Sequence, residues 1–125
     1  MKQSKHYFTT DPLKEFYIDE GCHIIEILNN SAHPDISISQ ARVEPNSTTE
    51  LHYLNDTVEI YYILSGKGIA FIGEDRIPVK KGDLIHIPEN MNQHISNNSK
   101  DELVFLCICT PRWKEEIYKT PDDQL

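Results

Sequence analysis

The stretch Asn46-Ser47-Thr48-Thr49-Glu50-Leu51-His52-Tyr53-Leu54-Asn55-Asp56-Thr57-Val58-Glu59-Ile60-Tyr61-Tyr62-Ile63-Leu64-Ser65-Gly66 predicts two strands about the turn Asn55-Asp56-Thr57. Side chains alternate along a strand, so His52 and Leu54 share one face, Glu59, Tyr61 and Ile63 share another, and Ile60 and Tyr62 point away. If the strands pair across that turn, His52 and Glu59 look into one cavity. A second stretch, Gly82-Asp83-Leu84-Ile85-His86-Ile87-Pro88-Glu89-Asn90-Met91-Asn92-Gln93-His94-Ile95-Ser96-Asn97, has the same grammar. Ile85 and Ile87 turn to the core and His86 to solvent. A regular strand sends His94 to the face opposite Gln93, whereas a bulge after Pro88 would turn it inward.

Outward from these stretches, short apolar runs separated by turn residues continue in both directions. Nine strands are predicted, over 22–28, 36–43, 48–54, 58–64, 68–72, 76–79, 84–87, 93–96 and 103–109. This is the signature of an all-β sandwich or barrel. Residues 68–79 read as a hairpin reversing near Gly73. The division that follows is an N-terminal extension over 1–21, a barrel over 22–111 and a tail over 112–125. Asp11 followed by Pro12 predicts one capped helical turn in the extension, residues 113–118 a brief helix, and 120–125 a loose end.

The intervals carry a family resemblance. Asn46, His52, Leu54, Glu59 and Gly66 keep the spacing of the first motif of the cupin superfamily, and Gly82, Pro88, Asn90, Gln93 and Asn97 that of the second. The chain therefore resembles a small single-domain cupin, which implies a double-stranded β-helix, or jelly-roll barrel. The segments 20–24 and 107–113 are similar to parts of small cupins of largely unassigned function. Two departures concern the backbone: Asn46 and Asn90 stand where the family has glycine, and asparagine tolerates positive φ. Two others concern chemistry: Leu54 and Gln93 stand where the family has histidine. A hydrocarbon cannot ligate a metal, and an amide oxygen is a weaker donor than imidazole.

What the resemblance implies is a divalent metal ion on His52 and Glu59 with Gln93, or a displaced His94, as third donor, and Tyr61 on the face of Glu59 to orient substrate or move a proton. Gln40 and Arg42 share a face of their strand, opposite Ala41 and Val43. Turned inward, they would hold a substrate carboxylate through the planar guanidinium; turned outward, Arg42 is solvated. Two functional readings stay open. One is a divalent-metal-dependent enzyme of isomerase, lyase, cyclase or dioxygenase type acting on a small carbonyl or hydroxy compound. The other is a metal-free, non-enzymatic small-molecule binding protein, for which the bland reading of His52 and Glu59 is a hydrogen-bonded buried pair. A metal-free sugar or sugar-nucleotide isomerase with His52 as base and Tyr61 as acid ranks last, because no nucleotide-binding patch is visible.

Composition narrows the classes. With 125 residues, 38% of them hydrophobic and 26% charged, the chain suits one folded domain. A net charge of −8 and the lack of a basic run argue against nucleic acid and anionic membrane. The polar start and the absence of a long apolar run lead to the expectation of a cytoplasmic protein. Three cysteines form no zinc-knuckle spacing, so Cys107 and Cys109 are expected to be reduced and packed, and His23 to be structural. Ile60 and Tyr62 on an outer sheet face, with the resemblance, imply a homodimer.

Overall fold

Period-two alternation runs through the chain as twelve strands in a computed structural model that describes residues 6–124. The strands are β1 (Phe16–Ile18), β2 (Cys22–Leu28), β3 (Ser37–Val43), β4 (Ser47–Thr48), β5 (Tyr53–Leu54), β6 (Val58–Ser65), β7 (Lys67–Ile72), β8 (Asp75–Lys80), β9 (Leu84–Ile87), β10 (Gln93–Asn97), β11 (Leu103–Thr110) and β12 (Tyr118–Lys119). Six form one sheet in the order β1-β2-β3-β11-β6-β9, four form a second in the order β4-β10-β7-β8, and β12 pairs with β5. Every described pairing is antiparallel, and the two larger sheets face each other as a jelly-roll barrel.

The inward residues do not fill the barrel evenly. Val43, Ile63, Ala70, Ile72, Ile87 and Leu103 are each no more than 5% exposed and pack as a solid plug. Towards the other end β3 offers only Ser37, Ser39 and Ala41, and these short side chains leave room for a cavity. The register makes this unavoidable: Ala41 lies beside Phe105 and Ile24, and Ser39 beside Cys107 and Glu26, so no bulky residue from β3 reaches the middle.

The turn chemistry is as the sequence suggests. Asn46 and Asn90 have φ of 60° and 65°, the left-handed region their glycine counterparts would favour. Asn90 also has a reason of its own: its Oδ1 accepts from the Asp56 amide at 2.8 Å, clamping the loop between β5 and β6. Asn97 closes the second motif by donating to the Val43 and Asp101 carbonyls at 3.0 and 2.8 Å while accepting from Ser99. The hairpin of β7 and β8 reverses at Gly73.

Two expectations need correction. The strand predicted over 48–54 is broken into β4 and β5, because Thr49 turns its hydroxyl to accept from the Ile95 amide at 2.9 Å and the chain bends there. Second, β5 does not pair with β6 across the 55–57 turn. Its partner is β12, while β6 lies between β11 and β9. The segments outside 22–111 also make contacts with the sheets. β1 extends the six-stranded sheet, and Trp113 donates its amide to Ser37 Oγ at 2.9 Å before a 3-10 turn at Glu115–Ile117 leads into β12. The capped turn at Pro12–Lys14 is present, with Asp11 accepting from the Leu13 amide. Another 3-10 turn covers Pro121–Gln124; residues 1–5 of the polar start and 125 of the tail lie outside the described residues.

Candidate functional site

The unfilled end of the barrel is a cavity of about 160 Å³. His52, Glu59 and Tyr61 line it, as does Leu54. His52 and Glu59 meet there for a different reason from the hairpin expected. Residue 52 is pinned to β10 by a two-way backbone bridge with Gln93, at 3.1 and 2.7 Å, which carries it across from the four-stranded side to face β6.

His52 is 3% exposed. Its Nδ1 lies 2.8 Å from the Glu50 carbonyl oxygen, and a carbonyl can only accept, so Nδ1 holds the ring proton and Nε2 the lone pair. Burial holds its pKa below the ordinary 6.5, so the ring is neutral at pH 7. Tyr118 of β12 stacks on this imidazole with centroids 4.6 Å apart and donates to Glu50 Oε1 at 2.6 Å. The tail thus supplies one wall of the site.

Glu59 is 6% exposed and only weakly satisfied. Its Oε2 accepts from Cys109 Sγ at 3.6 Å, and its Oε1 has no hydrogen-bond partner among the described residues. Burial, and then the nearby Glu20 carboxylate, push its pKa up to about 8, with Cys109, Gln93 and Cys107 acting the other way. Glu20 is itself pushed up to about 7, by burial and by Glu50. At pH 7 Glu59 is therefore mainly a neutral acid. Tyr61 donates to Gln93 Oε1 at 2.5 Å, and burial raises its pKa well above 10, so it is a hydroxyl donor and not a phenolate.

The other residues singled out by sequence lie elsewhere. Arg42 and Gln40 are on the outer face of β3, and their expected contact with substrate is corrected by alternation, which turns Ser39 and Ala41 to the cavity instead. Arg42 is held there by Glu15, at 2.6 Å, and by Glu102. His94 follows regular alternation onto the outer face of β10, where it stacks on Phe71 at 4.5 Å. His23 pairs with Glu44 at 3.2 Å, and His86 is exposed. Cys107 and Cys109 are unbridged and line the cavity, with burial keeping both thiols protonated.

Sequence reasoning missed Glu20 as a site residue because it was placed in the extension. The signal was the adjacent Gly21: at φ 103° it turns β1 back onto β2, and it passes close to the Thr48 carbonyl, which delivers Glu20 to the cavity mouth. Phe16 and Trp113 were missed for the same reason, as residues of the two supposed ends.

The donor set does not fit a resident divalent ion. Gln93 is 1% exposed, and its amide oxygen, the atom that would ligate, already accepts from Tyr61. Leu54 closes the next position with hydrocarbon. Among the described residues no three histidine, cysteine, aspartate or glutamate side chains come together to hold a metal. The expected ligand set of His52, Glu59 and Gln93 is thus reduced to one imidazole and one mostly protonated carboxyl group, too few and too weakly charged for a tight site.

The comparisons with known proteins agree with this architecture. The chain is 33% identical over 108 residues to an uncharacterised protein of Methanocaldococcus jannaschii, covering 85% of this chain and 86% of that one. It is 29% identical over 91 residues to an oxalate-binding protein of Thermotoga maritima, covering 71% and 73%. Among solved structures, one from Thermotoga maritima described as a predicted oxalate decarboxylase superposes with a TM-score of 0.77 at 22% identity, over 84% of this chain and 98% of the other. No helix among the described residues is long and apolar enough to cross a membrane. The family described as Cupin domain matches residues 39–109, which include both motifs, the bridge residue His52 and the strands that carry Glu59 and Gln93, and the chain belongs to that family.

Proposed function

We propose that this protein is a metal-independent cupin that binds a small molecule in the cavity between its two sheets. The observation that carries the reading is the Tyr61 to Gln93 hydrogen bond at 2.5 Å, which engages the one atom at the lost histidine positions that could ligate a metal. The site keeps what a binding pocket needs, an apolar enclosure with a few convergent polar groups, without the ligands that would hold an ion. Oxalate binding, the property named for the Thermotoga relative, does not carry over readily. A dianion here would meet Glu20 and Glu59 with no lysine or arginine on the cavity wall. The metal-dependent enzyme reading loses its support at the same positions. The test is elemental analysis after equilibration with manganese, iron, zinc or nickel salts and desalting. Well under one ion per chain is expected, and a stoichiometric ion lost in His52→Ala and Glu59→Ala would overturn the proposal.

We also propose that the chain forms a homodimer through the outer face of the six-stranded sheet. Tyr62 there is 39% exposed and Leu84, its register partner on β9, 56%, and Leu106 and Ile60 adjoin them. A contiguous apolar sheet face of this kind favours a second copy over solvent. Sedimentation of the natural chain should report a dimer, and Tyr62→Glu a monomer of unchanged fold. A monomeric natural chain at micromolar concentration would rule the pairing out.

A further inference from the structure

Three glutamates line the cavity, Glu20, Glu26 and Glu59, and no lysine or arginine does. The arginine nearest in sequence to the wall, Arg42, is turned away and neutralised by Glu15 and Glu102 on the other face of the sheet. Glu26 sits at the exposed edge with Asn29 as its only described hydrogen-bond partner, at 2.8 Å. Glu59 is the decisive member: it is 94% buried, since only 6% is exposed, and among the described residues no hydrogen bond reaches its Oε1. A buried acceptor left empty is costly, and such groups in native proteins generally have a partner outside the chain or serve chemistry.

The rest of the wall describes the remainder of the ligand. Ile18, Ile24, Leu54, Ile95 and Phe105 present hydrocarbon, which would leave the hydroxyls of a polyol unmatched, while Phe16 and Trp113 offer aromatic faces. Cavities of about 150 Å³ accept a benzene-sized body, close to the 160 Å³ available. A cation that enters would be attracted by both the carboxyl groups and the aromatic faces.

Resting on the metal-independent reading above, we propose that the cavity takes a small organic cation, an amine or amidine on an apolar body of benzene size, whose N–H groups are accepted by Glu59 Oε1 and Glu20. The class follows from complementarity: the pocket supplies carboxyl oxygens as acceptors and apolar walls, an entering cation draws Glu59 and Glu20 into their ionised forms, and the wall lacks the positive charge that a carboxylate or phosphate ligand needs.

Three probes with one body and different heads test it by titration calorimetry at neutral pH in the presence of EDTA: cyclohexylamine, cyclohexanol and cyclohexanecarboxylate. The amine should bind at least about ten-fold tighter than the alcohol, the equivalent of one charge-assisted hydrogen bond, and the carboxylate weakest of the three. Glu59→Gln should remove at least that advantage, whereas Glu102→Gln, on the outer face, should leave it intact. Equal affinity for amine and alcohol, or an amine advantage that survives Glu59→Gln, would overturn the cation assignment and leave the metal-independent pocket standing. Failure of all three probes to bind would also overturn it. Carboxylate binding that appears only when manganese chloride replaces EDTA would overturn both readings together.

Discussion

Glu59→Gln should make the protein more stable than the natural chain at alkaline pH and no more stable in mild acid. The carboxyl of Glu59 holds its proton up to about pH 8 in the folded state, against 4.5 ordinarily. Below the ordinary value, folded and unfolded chains are both protonated there and the group makes no difference. Between the two values the unfolded chain has released the proton and the folded chain has not, so stability falls as pH rises, by about 1.4 kcal/mol per unit. Above the folded value the loss is complete, at most about 5 kcal/mol for a shift of this size. Glutamine has the same shape and never ionises, so the variant escapes this loss. Near pH 5 its buried amide donors lack acceptors and cost about 1 kcal/mol. Denaturant midpoints measured across this range should therefore cross, the variant leading at about pH 9. Parallel curves would show that Glu59 is solvated in the folded protein.

Putting histidine back at both altered positions, Leu54→His with Gln93→His, should turn the chain into a metal-binding protein. Leu54 faces the cavity, and Gln93 lies behind Tyr61 on the strand bridged to His52. The double variant would present three imidazoles and Glu59, a donor set suited to manganese, iron, nickel or zinc. The metal would also pull Glu59 into its ionised form, which removes the penalty described above. Binding only to the folded state raises stability by about 4 kcal/mol at a thousand-fold excess over Kd. Added zinc or nickel should thus raise the melting temperature of the double variant and leave the natural chain's unmoved. Either single variant should respond weakly, and a folded double variant that ignores both metals would show that more than two ligands separate this site from a metal centre.

These two results would come from opposite sides of one fact. Tyr61 and Gln93 satisfy each other, whereas no lysine or arginine among the described residues lines the cavity beside Glu59. The pocket is therefore polar on one wall, where two carboxyl groups lack a cationic partner.

Much of this was legible in the chain. Alternation placed Glu59, Tyr61, Ile85, Ile87 and Gln93 inward and Ile60, Tyr62 and His86 outward, because a pleated strand allows no other assignment once one face is buried. Asn46 and Asn90 were readable as positive-φ residues because few other side chains tolerate that backbone. The face of β3 was not readable, since Gln40 with Arg42 and Ala41 with Val43 alternate equally well in either direction. Only the pairing of β3 between β2 and β11, which sets Ala41 beside Phe105, turned the arginine outward to Glu15 and Glu102. Glu20 was not readable as a site residue either, because its approach depends on β1 joining a sheet whose other strands lie up to ninety residues away.

Local periodicity was enough to determine an all-β chain of short strands, while the resemblance carried by the two motif spacings implied the jelly-roll barrel and the replacement of two histidines. Tertiary structure alone decided that His52 reaches the cavity through β10, that Tyr118 of the tail stacks on it, and that Glu20 and Glu59 share a space without a counter-charge. Those are meetings of residues far apart in the chain, and burial, hydrogen bonding and charge depend on what a side chain meets rather than on where it stands in sequence.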